Sequence, residues 1–225
     1  MSLLPPEAWT AILLSLRVAL VATLFSLPIA VWVAHLLARR DFPGKQIVNG
    51  LVHLPLVLPP VVTGYLLLVL FGTQGPLGAP LQALGITFAF RWTGAALAAA
   101  IMAFPLMVRA LRLGFEAVDP GLEDAARTLG ASRARVFRTV TLPLIAPSLL
   151  AAAVLGFAKA LGEFGATITF VAAIPGQTQT IPSAIYALLQ VPGQDGAVLG
   201  LVLVSVALAM GALVLSEWLA RRVAR

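Results

Sequence analysis

Val118-Asp-Pro-Gly-Leu-Glu-Asp-Ala-Ala-Arg-Thr-Leu-Gly-Ala-Ser-Arg-Ala-Arg-Val-Phe-Arg-Thr-Val-Thr-Leu-Pro143 is a polar stretch set between two long apolar ones. Its grammar predicts two short helices. Asp119 is a helix cap, with Pro120 at the first helical position, where its missing N–H is no loss. Glu123 and Asp124 fall early in that helix, where its dipole favours anions. Gly130 suits the left-handed residue that ends a helix. Ser132 caps a second helix over residues 133–139, and Leu142-Pro143 opens the next apolar segment. Ala125 and Ala126 form a small, smooth patch that another protein can approach closely.

Outward from this loop the chain is a membrane protein by composition. Its 225 residues are 60% hydrophobic and 11% charged, with a mean hydropathy of +0.99. A soluble domain is nearer half apolar and a quarter charged. Crossing a bilayer takes about 20 apolar residues, and five segments qualify: 11–38, 47–71, 92–114, 142–164 and 196–219. Residues 181–191 are too few to span and are expected as a short helix at the outer face. Prolines fall within the apolar segments, at Pro28, Pro55, Pro59, Pro60 and Pro105, where kinks are expected. The fold class expected is all-α, one transmembrane domain over residues 1–225.

The pI near 11.1 does not point to nucleic acid, because the basic residues are not spread over a surface. Twelve of the fifteen fall in three clusters: Arg39, Arg40 and Lys45; Arg109, Arg112, Arg127, Arg133, Arg135 and Arg138; and Arg221, Arg222 and Arg225. Such clusters at the ends of apolar segments mark the cytoplasmic side. Five spans then place the N-terminus outside and the C-terminus inside. The first apolar segment is preceded only by Glu7 and lacks the basic start of a cleaved signal peptide, so it is expected as a retained span. The outer loops, 72–90 and 171–195, are rich in turn-forming residues and poor in Lys and Arg.

There is no cysteine, so thiolate chemistry is excluded. No metal site is expected. His35 and His53 stand alone in separate apolar segments and are expected to be packed residues. No Gly-x-x-x-x-Gly-Lys-Ser/Thr loop occurs, and no catalytic constellation is recognisable. The chain is therefore expected not to be an enzyme. Charges inside a membrane are costly and are candidates for function. Arg17 and Lys159 either lend positive potential to an anion path, or Lys159 pairs with Glu163, four residues on, and holds helices together. A carboxylate lining an anion path would repel its cargo, which favours the pairing. Thr63, Thr167 and Thr169 offer weaker donors for a transient path, although threonines often bond their own helix backbone.

The loop resembles the Glu-Ala-Ala motif of ABC importer permeases. That pattern is Glu-Ala-Ala, three residues, Gly, nine residues, Ile, one residue, Leu-Pro. Asp124-Ala125-Ala126, Gly130, Val140 and Leu142-Pro143 keep every spacing, with Asp for Glu and Val for Ile. Further segments resemble the molybdate permeases of this family: Asp41-Phe-Pro-Gly-Lys45, His53-Leu-Pro-Leu-Val-Leu-Pro-Pro60, Gly85-Ile-Thr-Phe-Ala-Phe90, Leu161-Gly-Glu-Phe-Gly-Ala-Thr-Ile-Thr-Phe170 and residues 175–192. The resemblance covers residues 9–222; some relatives carry an extra N-terminal span, and none is expected here beyond the five.

The resemblance implies a type I importer fold and an assembly of two copies of this chain. Two cytoplasmic ATPases would carry ATP and Mg, and a periplasmic binding protein would deliver an oxyanion. It implies that residues 116–143 form the coupling loop, in which Glu123, Asp124, Ala125, Ala126, Gly130, Leu142 and Pro143 engage the ATPase. A sulfate or tungstate permease is the nearest alternative. A stand-alone secondary transporter is a further one, but no inverted repeat supports it.

Overall fold

The structure is a computed structural model that describes residues 5–223. Arg225 of the third basic cluster lies outside the described residues. Among the described residues there are helices and no strands.

The centre is a pair of helices, α1 (Pro6–Arg39) and α5 (Trp92–Ala117). Pro6 starts α1 after an extended Pro5, and Pro28 is carried within it. Each helix buries a face of small residues: Ala8, Ala11, Ser15, Ala19 and Ala22 on α1, and Ala95, Ala98, Ala99 and Ala103 on α5. Small faces let helices approach closely where lipid offers no hydrophobic drive between them. The two helices run parallel. Arg17 lies over the Trp92 ring at 3.7 Å, and Arg39 Nη2 donates to the Val118 carbonyl at 2.8 Å. On α1 those contacts are about 33 Å apart, close to the thickness of a hydrocarbon core. The Arg17 end is here the head of the bundle and the Arg39 end the foot.

Parallel neighbours require the chain to return from foot to head between them. The span expected over 47–71, with kinks at its prolines, is broken into two helices. These are α2 (Lys45–Val57) and α3 (Pro60–Phe71), which meet at a bend of 114°. The cause is the Pro59-Pro60 pair: each proline pushes the residue before it out of the α region, and both Leu58 and Pro59 are extended, with ψ 144° and 134°. A short α4 (Gly78–Ala83) follows at the head.

After α5 the loop helices α6 (Pro120–Thr128) and α7 (Arg133–Val136) occupy the foot. The second loop helix does not end near residue 139 as expected. It runs through one wide π turn (Phe137–Thr141) into α8 (Leu142–Leu144), and the bend of 70° comes at Ile145, before α9 (Ala146–Leu161). A widened turn accommodates Pro143, which cannot donate to the preceding turn. The expected span over 142–164 is therefore shorter, and Leu142-Pro143 closes the loop helix rather than opening the span. A break at Gly162 to Phe164 leads to α10 (Gly165–Val171), which packs on α3 and α5.

The short outer helix is α11 (Ile181–Leu188). It is bound into the bundle rather than lying free, because the Ile181 N–H donates to Ser15 Oγ at 2.7 Å. Finally α12 (Asp195–Val223) covers the expected last span, starts at the head, and buries few of its residues. Among the described residues three helices are long and apolar enough to cross a membrane, or five segments if each bent pair is one crossing.

Candidate functional site

The foot of the bundle carries the loop. Asp119 caps α6, accepting from Gly121 N–H at 2.8 Å, and Pro120 is its first residue. The helix ends in a Schellman arrangement: Ala131 N–H donates to the Ala126 carbonyl at 3.1 Å and Gly130 N–H to that of Arg127 at 2.9 Å. Gly130 has φ +84°, the left-handed conformation that a Cβ disfavours. Ser132 then caps α7, accepting from Arg135 N–H at 3.4 Å.

The two adjacent carboxylates of α6 have different surroundings. Glu123 is 7% exposed and turns into the bundle. Its Oε1 accepts from Thr141 Oγ1 at 2.7 Å and lies 3.6 Å from Arg39 Nη2, while Oε2 lies 3.6 Å from Arg127. Asp124 faces out and takes Arg127 at 2.7 Å. Glu123 is thus an internal tether and offers no outward contact; of the two, Asp124 alone is on the surface. The outward face of α6 is apolar: Leu122 and Leu129 are 50% and 88% exposed, with exposed Ala125 between them. Ala126 is half-buried, and Leu142 and Pro143 belong to the helix leading away from the loop. Nothing in the spacing of the sequence joins Arg39 or Thr141 to Glu123, and Leu122 and Leu129 emerge as a face only once the helix phase is known.

Lys159 sits deeper. A Cβ on Gly156 of α9 would lie 2.6 Å from Met107 Sδ on α5, which fixes the register of the two helices. Lys159 is about 4.5 Å further toward the head, level with the middle of α5. Its Nζ donates to Glu163 Oε2 at 2.7 Å, and Glu163 Oε1 accepts Ala166 N–H at 3.0 Å. Glu163 is 2% exposed. The carboxylate therefore binds the end of α9 to the start of α10.

The threonines divide. Thr167 Oγ1 donates to the Phe164 carbonyl at 2.8 Å and Thr169 Oγ1 to that of Gly165 at 2.8 Å, so both are engaged with their own helix. Thr63 is buried on α3 and its hydroxyl has no partner among the described residues. Gly64 beside it allows α3 to press on α10: a Cβ there would lie 2.5 Å from the Ala166 carbonyl oxygen and 2.9 Å from Thr169 Cβ. Arg17 is apart from this group, at the head, where it is exposed and stacked on Trp92. His35 is wedged edge-on between Phe115 and Phe137, at 5.0 and 5.7 Å. Among the described residues no group of His, Asp or Glu is arranged to hold a metal.

Residues 26–225 match the family model described as the binding-protein-dependent transport system inner membrane component. The molybdenum transport system permease protein ModB of Escherichia coli (strain K12) is 60% identical over 222 residues, covering 98% of this chain and 96% of its own length. ModB of Haemophilus influenzae is 56% identical over 214 residues, covering 95% of this chain and 93% of its own. Among solved structures, a bacterial ABC transporter involved in the import of the acidic polysaccharide alginate superposes with a TM-score of 0.78. It is 20% identical, covers 98% of this chain and 81% of its own, and shares the fold. The chain belongs to the family of binding-protein-dependent transport system inner membrane components, and is a multi-pass inner-membrane protein.

Proposed function

We propose that this chain is the permease subunit of an ABC importer that moves molybdate from periplasm to cytoplasm, driven by ATP. Two copies form the path, and two ATPases with their ATP and Mg dock beneath. A periplasmic oxyanion-binding protein docks at the head. In this reading all 225 residues form one transmembrane domain of five crossings, N-terminus out and C-terminus in. Residues 116–143 form the coupling loop. The observation that carries the reading is the form of α6. It is stopped sharply at both ends, tethered inward through Glu123, and turned outward through Leu122, Ala125 and Leu129. Such a helix passes a push to α1 and α9 as a rigid body. The ModB relatives, named for molybdenum transport, support the cargo. Lys159 and Glu163 serve as a structural pair, Thr63 is the path hydroxyl that is buried here without a partner among the described residues, and Arg17 stands at the outer mouth.

The test is uptake into proteoliposomes holding the permease and its ATPase, with loaded binding protein outside. Molybdate accumulation that needs ATP inside, and that tungstate inhibits more than sulfate, is the expected result. Uptake without ATP or without the binding protein would instead indicate a secondary transporter.

A further inference from the structure

A cleft of about 600 Å³ opens at the foot, between the last turn of α1 and the loop helices. Four arginines line it, Arg39, Arg40, Arg127 and Arg133, with two carboxylates, Glu123 and Asp124. The carboxylates are already matched, Glu123 by Arg39 and Arg127 and Asp124 by Arg127. Arg40 and Arg133 have no ion pair or side-chain hydrogen bond among the described residues. They come from different elements, one just beyond α1 and one at the start of α7, and face the same space. Two uncompensated guanidiniums, each a planar fork of donors, fit a phosphate group.

A second recess of about 350 Å³ shares His35 and Arg40 with the first and continues along Trp32, Leu36 and Phe42. Its Asp41 is held by Lys45 at 2.9 Å. Trp32 is 65% exposed, on the side of α1 turned away from the bundle. An occupant of both spaces carries an anion at one end and hydrocarbon at the other. Free phosphate has the first part and lacks the second.

We propose that this paired cleft binds an anionic glycerophospholipid of the inner leaflet. Its phosphate lies between Arg40 and Arg133, and an acyl chain runs along Trp32, Leu36 and Phe42. Basic recesses among transmembrane helices on the cytoplasmic side suit such headgroups. The bound headgroup bridges the end of α1 and the loop, so it stiffens the joint that Glu123 also spans. The inference rests on the foot being cytoplasmic, and is independent of the cargo and of ATP, so an uptake assay that fails leaves it standing.

Native mass spectrometry of the full-length permease, in micelles containing equal phosphatidylglycerol and phosphatidylcholine, tests it. The intact protein should retain phosphatidylglycerol over phosphatidylcholine by about tenfold. Arg40→Gln and Arg133→Gln should each reduce that preference, and together abolish it. Trp32→Ala should weaken retention of both lipids while leaving the preference. The single variants keep the test open if the double variant misfolds. Four results would overturn the proposal. These are no preference in the intact protein, a preference unchanged by either arginine substitution, displacement of the lipid by millimolar inorganic phosphate, and loss of the preference once the ATPase binds. The third would mean a free-anion site, and the fourth that the arginines serve partner carboxylates.

Discussion

Arg39 and Glu123 meet at the foot of the bundle, with Nη2 at 3.6 Å from Oε1. The same guanidinium donates to the Val118 carbonyl at 2.8 Å, and Thr141 donates to the same carboxylate oxygen at 2.7 Å. One carboxylate therefore gathers the end of α1, the loop helix α6 and the helix leading into α9.

Glu123→Ala should destabilise the protein, since breaking one side of a buried pair costs about 3–5 kcal/mol. Glu123→Gln should be milder, because its amide oxygen can still accept from Thr141. Asp124→Ala, on the surface, should change stability by about 0.5 kcal/mol or less. Thermal unfolding in detergent measures all three. Equal losses at 123 and 124 would contradict the inward and outward assignment.

Lys159→Ala leaves the Glu163 carboxylate buried with, among the described residues, only the Ala166 N–H as a hydrogen-bond partner. The yield of assembled complex should fall severalfold while anion preference is retained. The double change with Glu163→Ala should recover part of the yield, because no lone charge remains. Size-exclusion yield beside competitive uptake separates the outcomes. Full assembly with loss of uptake alone would make Lys159 a path residue.

Gly64→Ala should cost about 1–3 kcal/mol, an overpacking penalty, because the new Cβ meets the backbone of α10 at Ala166, which cannot swing away. Gly50→Ala is the control: it sits in α2 with nothing within 4 Å of a Cβ. Its stability should hold or rise slightly, since alanine is the better helix former. Melting temperatures of the two variants compare them directly.

The chain has no cysteine, so single cysteines report topology cleanly. Gln74→Cys, between α3 and α4, should react with an impermeant maleimide added outside the cytoplasmic membrane. Thr128→Cys, on α6, should react only after the membrane is opened. Labelling of both from one side would contradict the proposed orientation.

Much of the loop is legible in the sequence because its signals are local. Asp119, Ser132 and Gly130 each act within a few residues, and all three take the expected conformations. The facing of Glu123 and Asp124 is not legible. Neighbours on a helix differ by about 100°, and the choice between them is made by Arg39 and Thr141, far away in the chain. The prolines at 59 and 60 announce a break in the second apolar segment, yet a bend as large as 114° depends on how α3 packs against α10. Likewise Lys159 and Glu163 share a face by spacing alone, whereas the reach of Glu163 to Ala166 N–H needs the break after α9.

Gly130 gives the most direct test of the loop as the coupling element. A Cβ there meets nothing within 4 Å, so any penalty comes from the backbone at φ +84° and not from a clash. That strain is about 1 kcal/mol or more, and larger for a β-branched residue. Gly130→Val should therefore reach the membrane and assemble with its partner copy, while the end of α6 and the direction of α7 are altered. The measurement is ATP hydrolysis by the reconstituted complex, with and without loaded binding protein. Gly130→Val, and Asp124→Lys on the outward face, should lose most of the stimulation seen in the unaltered complex. Full stimulation in both variants would contradict the claim that this loop joins the permease to its ATPase.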